Sequence, residues 1–213
     1  MISIQKGDCT VKEMNAGEQR GSSILTTHQG RFLKVLALLF VMVSFLVGGL
    51  FFGADHVYGA ATFTGYISGI EKQATAYELL QKVNAARKSA SVGSLKWDAT
   101  LEHAAMVRAR EAAIYFSHTR PTGAVWYSAS SKLNGENLYV GYLATATKAN
   151  SSWMGSSGHR HNRLTGSYKS YGAAAFQGPD GYVYWVEEFS KSSAASTSHQ
   201  GTNVSKSEVG VKL

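Results

Sequence analysis

The chain has 213 residues, 44% of them hydrophobic, with 21 Lys and Arg against 14 Asp and Glu and a formal net charge of +7. That length supports one well-cored domain with extensions, and a single cysteine, Cys9, excludes an intrachain disulfide, so the fold must be held by packing. Residues 62–213 carry 16 of the basic residues and 10 of the acidic ones; this suits contact with polyanions, but no compact Lys/Arg block or nucleic-acid motif is present, so nucleic acid is not an expected partner.

Residues 1–32 are polar and without a sustained period, and read as a cytoplasmic leader. Residues 33–54 form a transmembrane anchor or the core of a signal peptide. Within them Val35–Ala54 runs 20 residues without a charge, enough to cross a bilayer. Arg31 and Lys34 on its N-terminal side predict the N-terminus inside and the remainder outside, as a single-pass surface protein. Small residues at Gly59-Ala60-Ala61 offer the second fate, secretion after cleavage near Ala61. A secreted chain without cysteine pairs fits a bacterial surface protein better than a disulfide-stapled secreted domain.

Residues 55–73 read as a linker, and the main domain as 74–190. Tyr77, Leu79, Leu80, Val83 and Ala86 recur at helical spacing and predict a helix over about 75–89. Asp98 is a good N-cap for a second helix over about 99–116, with Leu101, Ala105, Arg108, Ala109 and Ala112 on one stripe. That helix must end before Arg120-Pro121, since Pro121 disfavours the α region for the residue before it, and Gly123 lets the chain turn away. His118 is thereby held by backbone chemistry at the end of a rigid element.

Ala124–Tyr127 reads as a short extended piece, and Gly135-Glu136-Asn137 as a turn entering the apolar run Leu138–Leu143. A third helix is expected over about 144–154, broken by Gly155-Ser156-Ser157-Gly158, and a short one over 159–164. Tyr171–Gln177 and Tyr182–Phe189, joined by Gly178-Pro179-Asp180-Gly181, form a hairpin closed by a type I turn. The first strand is mostly small residues and the second large, which suits a sheet covered by helices on both faces. Residues 191–213 read as a disordered tail.

His118, Glu136 and His159 each sit at a chain break beside a glycine or proline. Two imidazoles and a carboxylate suit a divalent metal such as zinc with an open position for water, or a general acid and base. Equally, His118 near a helix C-terminus is favoured as a cation, and an ion-paired hydrogen bond to Glu136 is the structural alternative. His103 is expected at the surface, and His161 to be structural or exposed. A serine–histidine dyad through Ser156 or Ser157 lacks an acidic orienter.

Several motifs in register carry a resemblance: Asn84-x-x-Arg87, Leu95-x-Trp97-Asp98, Leu101-x-x-x-Ala105-x-x-Arg108-Ala109-x-Glu111, Ser117-His118-Thr119-Arg120-Pro121-x-Gly123, Gly135-Glu136-Asn137, Trp153-x-x-Ser156-x-Gly158-His159-Arg160-x-Asn162 and Tyr184-Trp185-Val186-x-x-Phe189. Over about residues 74–190 they resemble the CAP superfamily of cysteine-rich secretory, antigen 5 and pathogenesis-related proteins, in its bacterial cysteine-free branch. The resemblance implies an α/β fold, a three-layer α-β-α sandwich, with a central cleft lined by two histidines and two acidic residues, able in some members to hold zinc. His118, Glu136 and His159 match three of those four positions. The second acidic position falls near Ser156, where the carboxylate is missing. The resemblance further implies an extracellular domain whose cleft binds lipid, peptide or an anionic cell-wall polymer, with a metal-assisted hydrolase or peptidase as the alternative.

Overall fold

The computed structural model describes residues 63–199 and 201–213. Their elements run β1 (Thr64–Glu71), α1 (Gln73–Ser89), β2 (Lys96–Trp97), α2 (Ala99–Ile114), a 3-10 turn (Trp126–Ala129), β3 (Gly135–Tyr142), α3 (Ala146–Gly155), α4 (Ser157–Leu164), β4 (Ser170–Gln177), β5 (Tyr182–Ser190) and β6 (Val204–Lys212). The fold is mixed α/β. One sheet has the order β3-β5-β4-β1-β6, antiparallel throughout, with the two-residue β2 added parallel to the start of β4.

The sheet owes its two-sided burial to the period-2 alternation of its central strands. Ala173, Ala175, Val183, Trp185 and Phe189 face one way and pack with Ala76, Leu79 and Val83 of α1 and Ala149 and Trp153 of α3. Ala174, Phe176, Val186 and Leu138 face the other way, onto Ala105, Met106 and Ala109 of α2. The expected pairing of small with large residues is realised in register, with Ala175 opposite Trp185 and Ala174 opposite Val186. Gly172 marks the closest approach: a Cβ there would stand 2.3 Å from the Glu102 backbone nitrogen, so the first turn of α2 rests directly on β4.

Local chemistry sets the ends of these elements as expected. Asp98 accepts hydrogen bonds from the N–H groups of Thr100 and Leu101 and caps α2. Gly181, at φ +83°, donates its N–H to Gly178 O and closes the β4–β5 hairpin.

Four expectations differ from the structure. The segment assigned to the linker contains β1, and the segment assigned to a disordered tail contains β6, which pairs with β1 from Thr64↔Lys212 to Glu71↔Val204. Between β5 and β6 the chain is tied back through Ala195 N–H to Asp98, Ala99 N–H to Ser196 O, and a stack of His199 on Tyr77 at 3.7 Å between ring centroids. Few apolar residues are needed because backbone pairing and these polar anchors order the segment. Of the extended piece expected at 124–127, Val125 is extended and bridges Thr119, but Trp126 and Tyr127 belong to a 3-10 turn. Gly135-Glu136-Asn137 is the start of β3 rather than a turn; a Cβ at 135 would lie 2.6 Å from the Tyr168 hydroxyl, so any larger residue there must displace that ring. Among the described residues no helix is long and apolar enough to cross a membrane, and the apolar run at 35–54 lies outside them.

Candidate functional site

Arg108 lies on the apolar stripe of α2 and is fully buried, so its guanidinium must be compensated by protein groups. Its Nε donates to Glu136 Oε2 at 2.7 Å and its Nη2 to Glu136 Oε1 at 3.2 Å, forming a fork. Nη1 donates to Glu111 Oε2 at 2.7 Å, and Nη2 also reaches Ser117 O at 2.7 Å. Arg120, from the turn after α2, forks onto the same Glu111 with contacts of 2.5–3.0 Å. Alternating charges therefore run Arg120, Glu111, Arg108, Glu136, and tie the turn to the helix and to β3.

His118 ends this row. Its Nδ1–H donates to Glu136 Oε1 at 2.8 Å, because a carboxylate can only accept. The turn below it is held by Gly123 at φ +79°, with Gly123 N–H on Arg120 O and Arg120 N–H on Ala124 O. The His118 side chain is 26% exposed, so the imidazole is oriented by a buried carboxylate and still reaches solvent.

His159 arrives from α4. Asn162 Nδ2 donates to Glu136 O and to Asn137 Oδ1, and Asn137 Nδ2 donates to His159 O and to Glu187 Oε2. These amides fasten α4 along the outer edge of β3 and put His159 where the charge of His118 acts on it. Burial, then that charge, lowers its pKa and keeps it neutral. Its Nδ1 is buried without a partner. Beneath α4, Arg163 pairs with Glu187 at 3.2 Å, and Tyr171 donates its hydroxyl to Glu187 at 2.6 Å. His103 and His161 are exposed and take no part. Ser156 is the joint between α3 and α4, with no side-chain capping bond.

The residue that sequence reasoning missed is Glu188. It sits directly across from Glu136 in the β3–β5 register, wholly buried, with neither oxygen in a well-aligned hydrogen bond. Burial, and then the neighbouring Glu136 charge, push its carboxyl well above the ordinary range, which favours its protonated form. Glu136 goes the other way: burial would raise it, but His118 and Arg108 outweigh burial and hold it below the ordinary range. The available signal was a Glu-Glu pair enclosed by Trp185, Val186 and Phe189 on a strand flanked by others.

A three-ligand metal site is a poor fit to this donor set. Both Glu136 oxygens face Arg108, whose fixed positive charge opposes a second cation, so this carboxylate is not free to serve as a third ligand. Among the described residues no group of three or more His, Cys, Asp or Glu side chains is disposed to hold a metal ion. The expected trio is thus brought to one place, as an ion-paired carboxylate with one imidazole bonded to it and a second alongside.

Comparison with known proteins gives one family: the model of the cysteine-rich secretory protein family, CAP, matches residues 80–189. No curated protein matches the sequence. Among solved structures, an extracellular protein containing an SCP domain from Bacillus anthracis str. Ames is similar, with a TM-score of 0.48 at 17% identity over 55% of this chain. The match spans 40% of the Bacillus chain. An outer surface protein from Borrelia burgdorferi gives 0.46 at 18% identity, over 54% of this chain and 90% of that one. NaASP2, crystallised with Zn2+, gives 0.46 at 16% identity, over 62% and 88%.

Proposed function

Since the chain belongs to the cysteine-rich secretory protein (CAP) family, we propose that it works as a bacterial surface or secreted ligand-binding domain whose cleft is built on His118, Glu136 and His159. The uncharged run at 35–54, with Arg31 and Lys34 before it, supports placing the domain outside the cytoplasm. The ligand is of the lipid, peptide or cell-wall class, and the cleft meets it through the solvent-facing edge of His118 and through neutral His159.

The observation carrying this reading is the Arg108 fork on Glu136. A carboxylate with both oxygens bonded to a buried guanidinium is a scaffold for an imidazole, and is withdrawn from service as a base or metal ligand. The metal-assisted hydrolase alternative requires Glu136 to be released from Arg108.

Binding is tested by following the histidine imidazole NMR signals while the protein is titrated separately with peptidoglycan fragments, phosphatidylglycerol bicelles and a mixed peptide pool. Saturable movement of the His118 and His159 signals in one titration, without turnover of the probe, is expected. Metal-dependent cleavage of the peptide pool that is lost in Glu136→Gln would overturn the reading.

A further inference from the structure

Arg87 is the second wholly buried arginine of the motif set, and it is built differently from Arg108. Among the described residues no carboxylate meets it. Its Nε donates to Gly93 O at 2.6 Å, its Nη1 to Arg163 O and Thr165 O at 2.9 and 3.0 Å, and its Nη2 to Tyr168 O at 3.3 Å. One guanidinium thus gathers four carbonyls from the loop after α1, the last turn of α4 and the loop between α4 and β4. Burial lowers its pKa but leaves it charged, because arginine starts far above neutrality.

This arrangement has a consequence on the outer side of the same loops. In a trans peptide the C=O of one residue and the N–H of the next point in opposite directions, and no cis bond occurs among the described residues. With Gly93 O and Thr165 O turned inward onto Arg87, the N–H groups of Ser94 and Gly166 are turned outward. Neither donates to any group among the described residues. Both residues line one cavity of about 380 Å³, together with Lys96 and Lys169. Those lysines are neighbours, since Lys96 N–H donates to Lys169 O at 3.1 Å.

A second cavity of about 630 Å³ adjoins the first through the shared Gly93 and Ser94, and Lys88 is on its wall. Neither cavity has a carboxylate among its lining residues, and Lys88, Lys96 and Lys169 are exposed and without ion-pair partners among the described residues. The only acid on α1 is Glu78, which lines neither cavity.

From this we infer a second binding site, for a phosphate-type oxyanion. Lys96, Lys169 and the N–H groups of Ser94 and Gly166 hold one anionic group in the smaller cavity, and Lys88 meets the next one along a chain of such groups. Arg87 supports the site from behind by orienting the peptide dipoles, positive end outward, over an uncompensated charge. The chemistry selects a repeating phosphate polymer over a single small anion, because the cationic groups are spread over two joined cavities. This site shares no lining residue with the His118 cleft and does not depend on the function assigned to it.

Titration of the full-length chain with inorganic tripolyphosphate and, separately, with orthophosphate, followed by backbone amide NMR shifts, tests the inference. Tripolyphosphate is expected to bind saturably, more tightly than orthophosphate and more weakly as salt rises, and to move the Ser94 and Gly166 amide signals most. Lys96→Gln and Lys169→Gln should each weaken both ligands by about two- to fivefold, the scale of an exposed ion pair. Lys88→Gln should weaken tripolyphosphate alone. Gly166→Pro removes one donor and no charge; Thr165, at φ −64° and ψ 115°, already has the backbone that a following proline requires. It should weaken both ligands while leaving the net charge intact. No saturable binding by the unmodified chain, or an equal loss in the variant Lys148→Gln, at an exposed lysine that lines neither cavity, would overturn the inference.

Discussion

Replacing Arg108 by Met removes a buried cation of similar length from between two carboxylates. Glu111 keeps its fork from Arg120, whereas Glu136 is left with only the partly exposed His118. Breaking a buried pair from one side costs about 3–5 kcal/mol, because the remaining charge is stranded. Glu136→Gln costs less, about 1.5–3 kcal/mol, since Arg108 retains Glu111 and Ser117 O. If the two residues act chiefly through each other, the double variant should lie close to Arg108→Met alone. That corresponds to a coupling of about 1.5–3 kcal/mol in a double-mutant cycle. Urea denaturation followed by tryptophan fluorescence measures all four stabilities, with unchanged m-values as the check on two-state behaviour. Single-variant losses that add to within about 0.5 kcal/mol would refute the claim that Glu136 is a carboxylate locked by Arg108.

Three further outcomes follow from the same structure. The unfolded chain ionises Glu188 in the ordinary carboxyl range while the folded chain keeps its proton well above it, so stability falls as pH rises between the two values. Glu188→Gln, which has no proton to lose, should therefore be the more stable protein at neutral pH and equal to the parent in acid; a less stable variant at neutral pH would contradict the raised carboxyl. His159 has the opposite slope: its folded pKa is depressed, so the unfolded state takes up the proton first as pH falls below the ordinary imidazole range. His159→Gln should flatten that part of the stability–pH curve, and an unaltered curve would show that the imidazole of His159 is not depressed in the folded protein. A chain ending at Lys191 lacks β6 and the His199–Tyr77 stack, and should lose hydrogen-exchange protection at residues 64–71 and unfold at lower urea. Unchanged protection there would refute the β1–β6 pairing.

The parts of the fold that could be read from the chain were those set by local chemistry. Asp98 before an apolar stripe, Pro121 after a helix, and Gly178-Pro179-Asp180-Gly181 between a small and a large strand each specify their own geometry. β1 and β6 could not be read that way, because their order comes from pairing with each other across the domain. Gly135 misled because glycine serves close approach as well as turns, and only the Tyr168 hydroxyl distinguishes the two. In the site, His118 and His159 were placed by their flanking breaks, but the partners deciding their chemistry were hidden in regular elements. Arg108 lay in plain view on an apolar helical stripe, where a charge implies a buried counterion. Glu188 was concealed by the ordinary look of two glutamates in a strand.

Zinc calorimetry on the full-length chain, repeated with His118→Ala, His159→Ala and Glu136→Gln, tests most directly whether the Arg108–Glu136 fork makes this cleft a binding scaffold. The account predicts no one-site isotherm that depends on all three residues. A single tight site in the unmodified chain, lost in each of the three variants, would contradict it and return Glu136 to the role of ligand.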